Sequence, residues 1–142
     1  MALWRTRLMV GEAMVLLLVA RFLVNRVGLR LWRGLLGPQQ GAGAPVGDCA
    51  RLATGEARRL GAGVERAAWR LGGAFKCLPK AICAHWMLRR RGIASRLVLA
   101  AQPRQARGAP ADLHAWAEVA GGVVIGESDE RYVPVGVFGK PW

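Results

Sequence analysis

FKCLPKAICAHWMLRRRGI, residues 75–93, is the stretch on which the fold prediction depends most. It predicts a helix that starts near Cys77 and has its body over residues 80–91. Pro79 suits a first helical turn, and Gly92 suits the position just after a helix end. The basic triplet before Gly92 complements the negative C-terminal end of the helix dipole. We therefore interpret the triplet as a helix end rather than as a nucleic-acid patch.

LHAWAEVAGGVVIGE, residues 113–127, changes the pattern from helix to strand. Apolar, β-compatible residues between turn signals predict strands over residues 95–101, 113–119, 123–127 and 132–138. Gly121-Gly122 is the expected hairpin turn between the second and the third of these strands. Because helices come first and an antiparallel meander follows, the order of the elements predicts an α+β fold.

The remaining chain divides by composition into three parts. Residues 1–37 predict a basic amphipathic helix, and residues 38–47 predict a linker rich in Gly, Pro and Gln. Residues 48–142 would then form the main domain. Within it, residues 49–71 predict one or two modest helices, because three glycines interrupt an Ala/Arg-rich pattern.

The chain is strongly basic, and the charge is uneven. Its 142 residues include 21 Lys and Arg against nine Asp and Glu, a formal charge of +12, and 53% are hydrophobic. Residues 1–37 carry six arginines and one acid, whereas residues 112–142 are net acidic. The hydrophobic content excludes wholesale disorder. The positive charge favours an acidic partner or an anionic surface. The sequence lacks the basic stripe with interleaved aromatic residues that is typical of nucleic-acid binding.

The N-terminal helix has two interpretations. Its apolar run, residues 13–20, is shorter than a membrane span requires. Arg26, Arg30 and Arg33 follow at a spacing that places them on one face of a continuing helix. The helix is expected to pack on its own domain, or else to dock on a partner protein or a membrane surface.

Cys77 lies where a nucleophile is favoured. The free N–H groups and positive dipole end at a helix start stabilise a thiolate, and they can also hold an oxyanion. Lys76 and Lys80 add positive potential. Cys83 lies inside the same helix without that advantage and is expected in the core, while Cys49 has no partner in view. The odd number of cysteines, three, favours a reducing compartment.

His114 heads the second predicted strand and is the candidate base. It shares a strand face with Trp116 and Glu118. A Cys–His nucleophile needs a third group that orients the imidazole, and Glu127 and Asp129 are the candidates. With the Gly121-Gly122 turn, Trp116 would face Glu127 and His114 would face Asp129, whereas a longer turn would move both acids to the other face.

Other chemistry is not indicated by the sequence. His85 lies in the middle of a predicted helix and is expected to be a packed or surface histidine rather than a base. No spacing of Cys and His fits a metal site, and no glycine motif fits a phosphate or dinucleotide. Neither a metal nor a cofactor is therefore expected.

The residues around Cys77 and His114 resemble a known family. CLPKA at residues 77–81, RRRG at 89–92 and HAWAE at 114–118 resemble the leader peptidase of lasso-peptide biosynthesis, a transglutaminase-like, papain-like cysteine peptidase. The resemblance covers residues 50–135 and implies Cys77 as nucleophile and His114 as base. The family's third residue is usually an aspartate at the position of Glu127, with Asp129 as the alternate. Residues 71–76, just before Cys77, contain no amide side chain, so backbone N–H groups would form the oxyanion hole.

The same resemblance implies the reaction and the partners. The enzyme would cut one peptide bond of a ribosomally made precursor, with a separate leader-binding protein and an ATP-dependent lasso cyclase as partners. It would be a bacterial cytoplasmic protein, with residues 1–37 available for peripheral contact with the membrane. Two alternatives stay open: a non-catalytic peptide-binding adaptor of the same fold, and an enzyme that transfers the acyl group to an amine.

Overall fold

The computed structural model describes residues 2–40, 53, 55–101, 113–120, 122–128 and 132–139. The helices are α1 (Ala2–Arg26), α2 (Leu29–Trp32), α3 (Gly55–Arg70) and α4 (Cys77–Arg90), and a 3-10 turn covers Arg33–Leu36. The strands are β1 (Gln39–Gln40), β2 (Arg96–Ala101), β3 (Leu113–Val119), β4 (Gly122–Ile125) and β5 (Val133–Phe138).

The strands form one antiparallel sheet in the order β1-β5-β2-β3-β4. Strands β2, β3 and β4 are consecutive neighbours, as a meander requires. Strand β5 returns to the other side of β2, and the short β1 pairs with β5. The predicted α+β class is confirmed, although β1 forms within the stretch that was expected to be a linker.

Helices α1, α3 and α4 share one hydrophobic core with one face of the sheet. The buried residues of α1 are Val10, Ala13, Leu17 and Ala20, a spacing that follows one side of the helix. At its midpoint, Glu12 forms ion pairs with the last turn of α4 and the residue after it, through Arg90 (2.7 Å) and Arg91 (2.8 Å). The N-terminal helix therefore packs on its own domain.

The expectation of one continuing N-terminal helix is wrong. Helix α1 ends at Arg26, and α2 starts only at Leu29. Gly28 lies at the break, where a residue without Cβ lowers helix propensity. The indole N–H of Trp32 donates to the Val27 carbonyl (3.0 Å) and ties the two helices together. Arg26 and Arg30 therefore do not share one helical face.

The expectation that glycines interrupt α3 is also wrong. The helix begins at Gly55 and runs through Gly61 and Gly63. A Cβ on Gly61 would overlap the carbonyl oxygen of Val124, and a Cβ on Gly63 would lie 2.7 Å from the Met9 side chain. These glycines let α3 approach β4 and α1 closely, and packing outweighs their low helix propensity.

The predicted hairpin register needs correction. Val119 pairs with Gly122 and Glu118 with Val123, so the predicted pairing of Ala120 with Val123 is wrong. Ala120 takes up the left-handed turn conformation, with φ 50°, and the turn therefore comes one residue earlier than expected. Farther from the turn, a bulge between Ala117 and Glu118 shifts the register of β3 and β4 again.

Candidate active site

Cys77 is the first residue of α4, as its sequence context predicts. Lys76 before it is extended (φ −74°, ψ 170°) and gives no side-chain cap to the helix. Because the first N–H groups of a helix have no partner within the helix, α4 presents donors beside a partly exposed thiol. Pro79 is buried in the first turn, where its missing N–H costs no hydrogen bond.

The chain that leads into Cys77 is anchored by Phe75. Its ring is buried in the shared core, and the Arg21 guanidinium of α1 lies 5.2 Å from the ring centroid. A guanidinium over an aromatic face is attracted by the ring quadrupole. Helix α1 therefore helps to fix the segment that leads into Cys77.

His114 is the second residue of β3, and its imidazole is held by a backbone group. Its Nε2–H donates to the carbonyl oxygen of Gly126 at 2.5 Å, and its ring stacks on Tyr132 with centroids 4.8 Å apart. A donating Nε2–H in the neutral ring leaves Nδ1 with a free lone pair. This is the tautomer that a general base requires.

Gly126 can offer that carbonyl because it is a glycine. Its φ is +91°, a conformation that side chains rarely adopt, and β4 ends just before it. A Cβ there would lie 2.6 Å from the Ala115 carbonyl oxygen. The close approach of the chain to β3 therefore depends on this residue type.

One cavity contains both predicted catalytic side chains. Its volume is about 660 Å³, and Cys77 and His114 both line it. Helix α1 contributes Arg21 and Asn25 to the wall. Among the described residues, Cys77 makes no hydrogen bond to the imidazole, and apo enzymes commonly show such looser geometry. The structure therefore places Cys77 and His114 at one cavity, and their roles as nucleophile and base stay predictions.

The comparison with protein families gives the relationship. Residues 14–137 match the sequence model of the transglutaminase-like superfamily. The chain belongs to this superfamily. The superfamily includes cysteine peptidases and transferases, for which a thiol and an imidazole in one cavity are the expected groups. No curated protein matches the chain, and no solved structure does.

In this transglutaminase-like domain, the described one of the two predicted acids, Glu127, pairs with an arginine rather than with the imidazole. The Glu127 carboxylate lies 3.8 Å from the Arg58 guanidinium and is about half exposed (54%), with no hydrogen bond to His114. Asp129 lies outside the described residues. The acceptor that orients His114 is therefore the Gly126 carbonyl, and a role for either acid stays a prediction.

Cys83 and His85 are buried structural groups. Cys83 is buried in the core, and burial raises the pKa of its thiol to about 12, so it remains protonated. His85 is fully buried between the Ser95 hydroxyl (2.8 Å) and the Leu36 carbonyl (2.7 Å). Burial lowers the pKa of His85 to about 4. Cys49 lies outside the described residues.

No group of three or more potential metal ligands occurs among the residues that the structure describes.

On the sheet face that His114 shares, Glu118 is fully buried, bonded to Arg96 (2.6 Å) and to the indole N–H of Trp116 (3.1 Å). The sequence predicts Glu118 on this face but does not predict the buried ion pair. The available signal was Arg96, a charged residue at the start of an otherwise apolar strand.

Proposed function

We propose that this transglutaminase-like protein is a cysteine peptidase that removes the leader from a ribosomally made lasso-peptide precursor. The observation that carries the proposal is the shared cavity, which is lined by Cys77 at the start of α4 and by His114 near the start of β3. The sequence resemblance around these two residues supports the choice of substrate. Membership of the superfamily supports thiol chemistry in general.

The described groups suit each step of an acyl-transfer reaction. Nδ1 of His114 takes the thiol proton, and the Cys77 sulfur attacks the scissile carbonyl. The leaving amine takes a proton from the imidazolium as the C–N bond breaks, and a thioester remains. His114 then deprotonates a water molecule, which hydrolyses the thioester and frees the thiol. The Gly126 carbonyl stabilises the imidazolium that forms in each half-reaction.

The oxyanion would be held by donors at the start of α4. The backbone N–H groups of Cys77 and Leu78 are free of helix partners there, whereas Pro79 has none to offer. Asn25 adds a side-chain amide to the cavity wall from α1. This arrangement supports an oxyanion hole without an amide side chain just before Cys77.

The cavity also suits a peptide. Its walls are largely apolar, with Leu99, Leu113 and Val135 as contributors from three strands. Such walls bind side chains, while the few polar groups orient the backbone. Lys76 and Arg21 lie at the same cavity and favour an acidic segment near the scissile bond. We expect a separate leader-binding protein to hold the precursor and an ATP-dependent cyclase to close the ring on the product.

The test is cleavage of a candidate precursor by the pure protein, with and without the leader-binding partner. Wild type and Cys83→Ala should release leader and core, because Cys83 is a core residue. Cys77→Ala and His114→Ala should lower the rate by about 10³-fold or more. Circular dichroism and thermal unfolding confirm that each variant folds. Undiminished cleavage by Cys77→Ala would overturn the proposal.

A transferase is the second candidate, because the superfamily includes transferases and an amine can capture the same thioester. Mass spectrometry of the product separates the two reactions. Hydrolysis leaves a free carboxyl group at the end of the leader, whereas transfer leaves an amide of the added amine. If the precursor binds with unchanged affinity but neither product forms, the domain is a peptide-binding adaptor.

A further inference from the structure

Helix α1 presents an apolar stripe to solvent, on the side opposite its buried face. Its residues are all exposed, and their spacing of three, four or seven positions follows one face of a helix; they are Trp4, Leu8, Val15, Leu18 and Phe22. Trp4, Leu8 and Phe22 are 53–60% exposed, and Val19 beside them is 43% exposed. At a rise of about 1.5 Å per residue, the stripe is about 27 Å long. A continuous exposed apolar surface of this size marks an interaction site.

Exposed arginines lie in the same N-terminal segment as the stripe. All six arginines within residues 1–37 are exposed, and none of them forms an ion pair with a carboxylate of the described residues. Beside the N-terminal half of α1, a groove of about 760 Å³ is lined by Arg5, Arg59, Arg66 and Arg91, with Glu56 as its acidic residue. The partner of this surface must therefore offer apolar contact and negative charge together.

We propose that α1 docks this stripe on an anionic lipid bilayer, with the helix axis parallel to the surface. Trp4 and Phe22 would sit at the level of the headgroups and upper acyl chains, and the flanking arginines would meet lipid phosphates. A second copy of the chain fits less well, since two bodies of charge +12 repel each other.

The helix would lie on the bilayer rather than cross it. By length and composition alone, Leu3–Arg26 could span a membrane, with a mean hydropathy of 1.9 and 22% of that window buried. However, Ala13, Leu17 and Ala20 are fully buried against the domain, and Glu12 holds α1 to the end of α4. Crossing the bilayer would remove this face from the core, whereas surface docking uses the opposite face and leaves the fold intact.

Docking would also place the catalytic cavity beside the membrane. The helix that carries the stripe contributes Arg21, Val24 and Asn25 to the wall of that cavity. The substrate entrance would therefore lie close to the headgroup layer. Binding itself does not depend on the chemistry at Cys77, so it is measured separately from peptide cleavage.

The experiment is co-sedimentation of the full chain with vesicles. One set contains phosphatidylcholine alone, and the other contains about a third phosphatidylglycerol. The test variant is Leu18→Asp/Phe22→Asp, and the matched control is Trp69→Asp, which alters an aromatic residue of α3 that is 78% exposed. Arg7→Gln/Arg26→Gln tests the charge contribution without a change in the apolar stripe.

Wild type should bind the anionic vesicles, more weakly as salt is added. The Leu18/Phe22 variant should lose about tenfold or more in affinity, since two large side chains no longer enter the bilayer. Each neutralised arginine should cost roughly fivefold. Trp69→Asp should bind like wild type. If the Leu18/Phe22 variant does not fold, the arginine variant decides the question.

Three results would overturn the proposal. The first is wild-type protein that stays in the supernatant with anionic vesicles. The second is a loss of binding in Trp69→Asp as large as that in Leu18→Asp/Phe22→Asp. The third is a stable dimer, seen by light scattering without vesicles, that the double variant dissociates; the stripe would then be a self-association surface.

Discussion

Acidification should destabilise this fold through His85. The imidazole is fully buried, accepts from the Ser95 hydroxyl at Nδ1 and donates to the Leu36 carbonyl at Nε2. These contacts link α4 to the 3-10 turn and to the start of β2. They require the neutral ring, because a protonated Nδ1 cannot accept a hydrogen bond.

The size of the effect follows from the two pKa values. The ordinary pKa of 6.5 is lowered to about 4 in the folded protein, first of all because burial disfavours the charged ring. The unfolded chain therefore binds a proton before the folded one does, and stability falls as pH drops through this window. The loss is about 2 kcal/mol between pH 7 and pH 5, and about 3 kcal/mol once the pH is below both values.

Urea unfolding, followed by tryptophan fluorescence at several pH values, measures this loss. The chain has two histidines, so His114→Gln is a matched control. Wild type and His114→Gln should both lose about 2 kcal/mol from pH 7 to pH 5. His85→Gln should start from a lower free energy of unfolding and lose much less. Parallel losses in wild type and His85→Gln would refute the reasoning.

Three further variants test the site and the packing. Glu127→Gln should keep precursor cleavage within about tenfold of the wild-type rate, because a backbone carbonyl holds the His114 ring. A loss of rate as large as that of His114→Ala would instead establish Glu127 as the third catalytic residue. Gly61→Ala should lower the free energy of unfolding by about 1–3 kcal/mol, whereas Gly11→Ala, with open space around it, should not. Glu118→Ala should cost about 3–5 kcal/mol in urea unfolding, since it strands a buried guanidinium; a cost below 1 kcal/mol would contradict this.

Local signals in the sequence predicted the elements that carry the chemistry. Helix α4 starts at Cys77 because Pro79 favours a first turn, and the chain leaves the helix at Gly92, whose φ is +72°. Strand β3 has the predicted bounds, residues 113–119, because β-compatible residues lie there between turn signals. Each of these signals acts within a few residues of the chain.

Features that depend on contacts between distant parts of the chain could not be predicted from such local signals. Helix α3 continues through Gly61 only because β4 lies against it. The hairpin register follows from the left-handed conformation of Ala120, a residue type that gives no turn signal. The acceptor of His114 is a backbone carbonyl, which every residue has, so no side chain identified Gly126 in advance.

The central claim is that the Cys77 sulfur carries the acyl group of a cleaved peptide. Rapid acid quenching of the enzyme with its precursor, followed by intact-mass measurement and peptide mapping, tests this directly. The account predicts an adduct of the leader mass less one water on the peptide that contains Cys77, absent in Cys77→Ala. Cleavage that proceeds in Cys77→Ala, or an adduct on another residue, would contradict it.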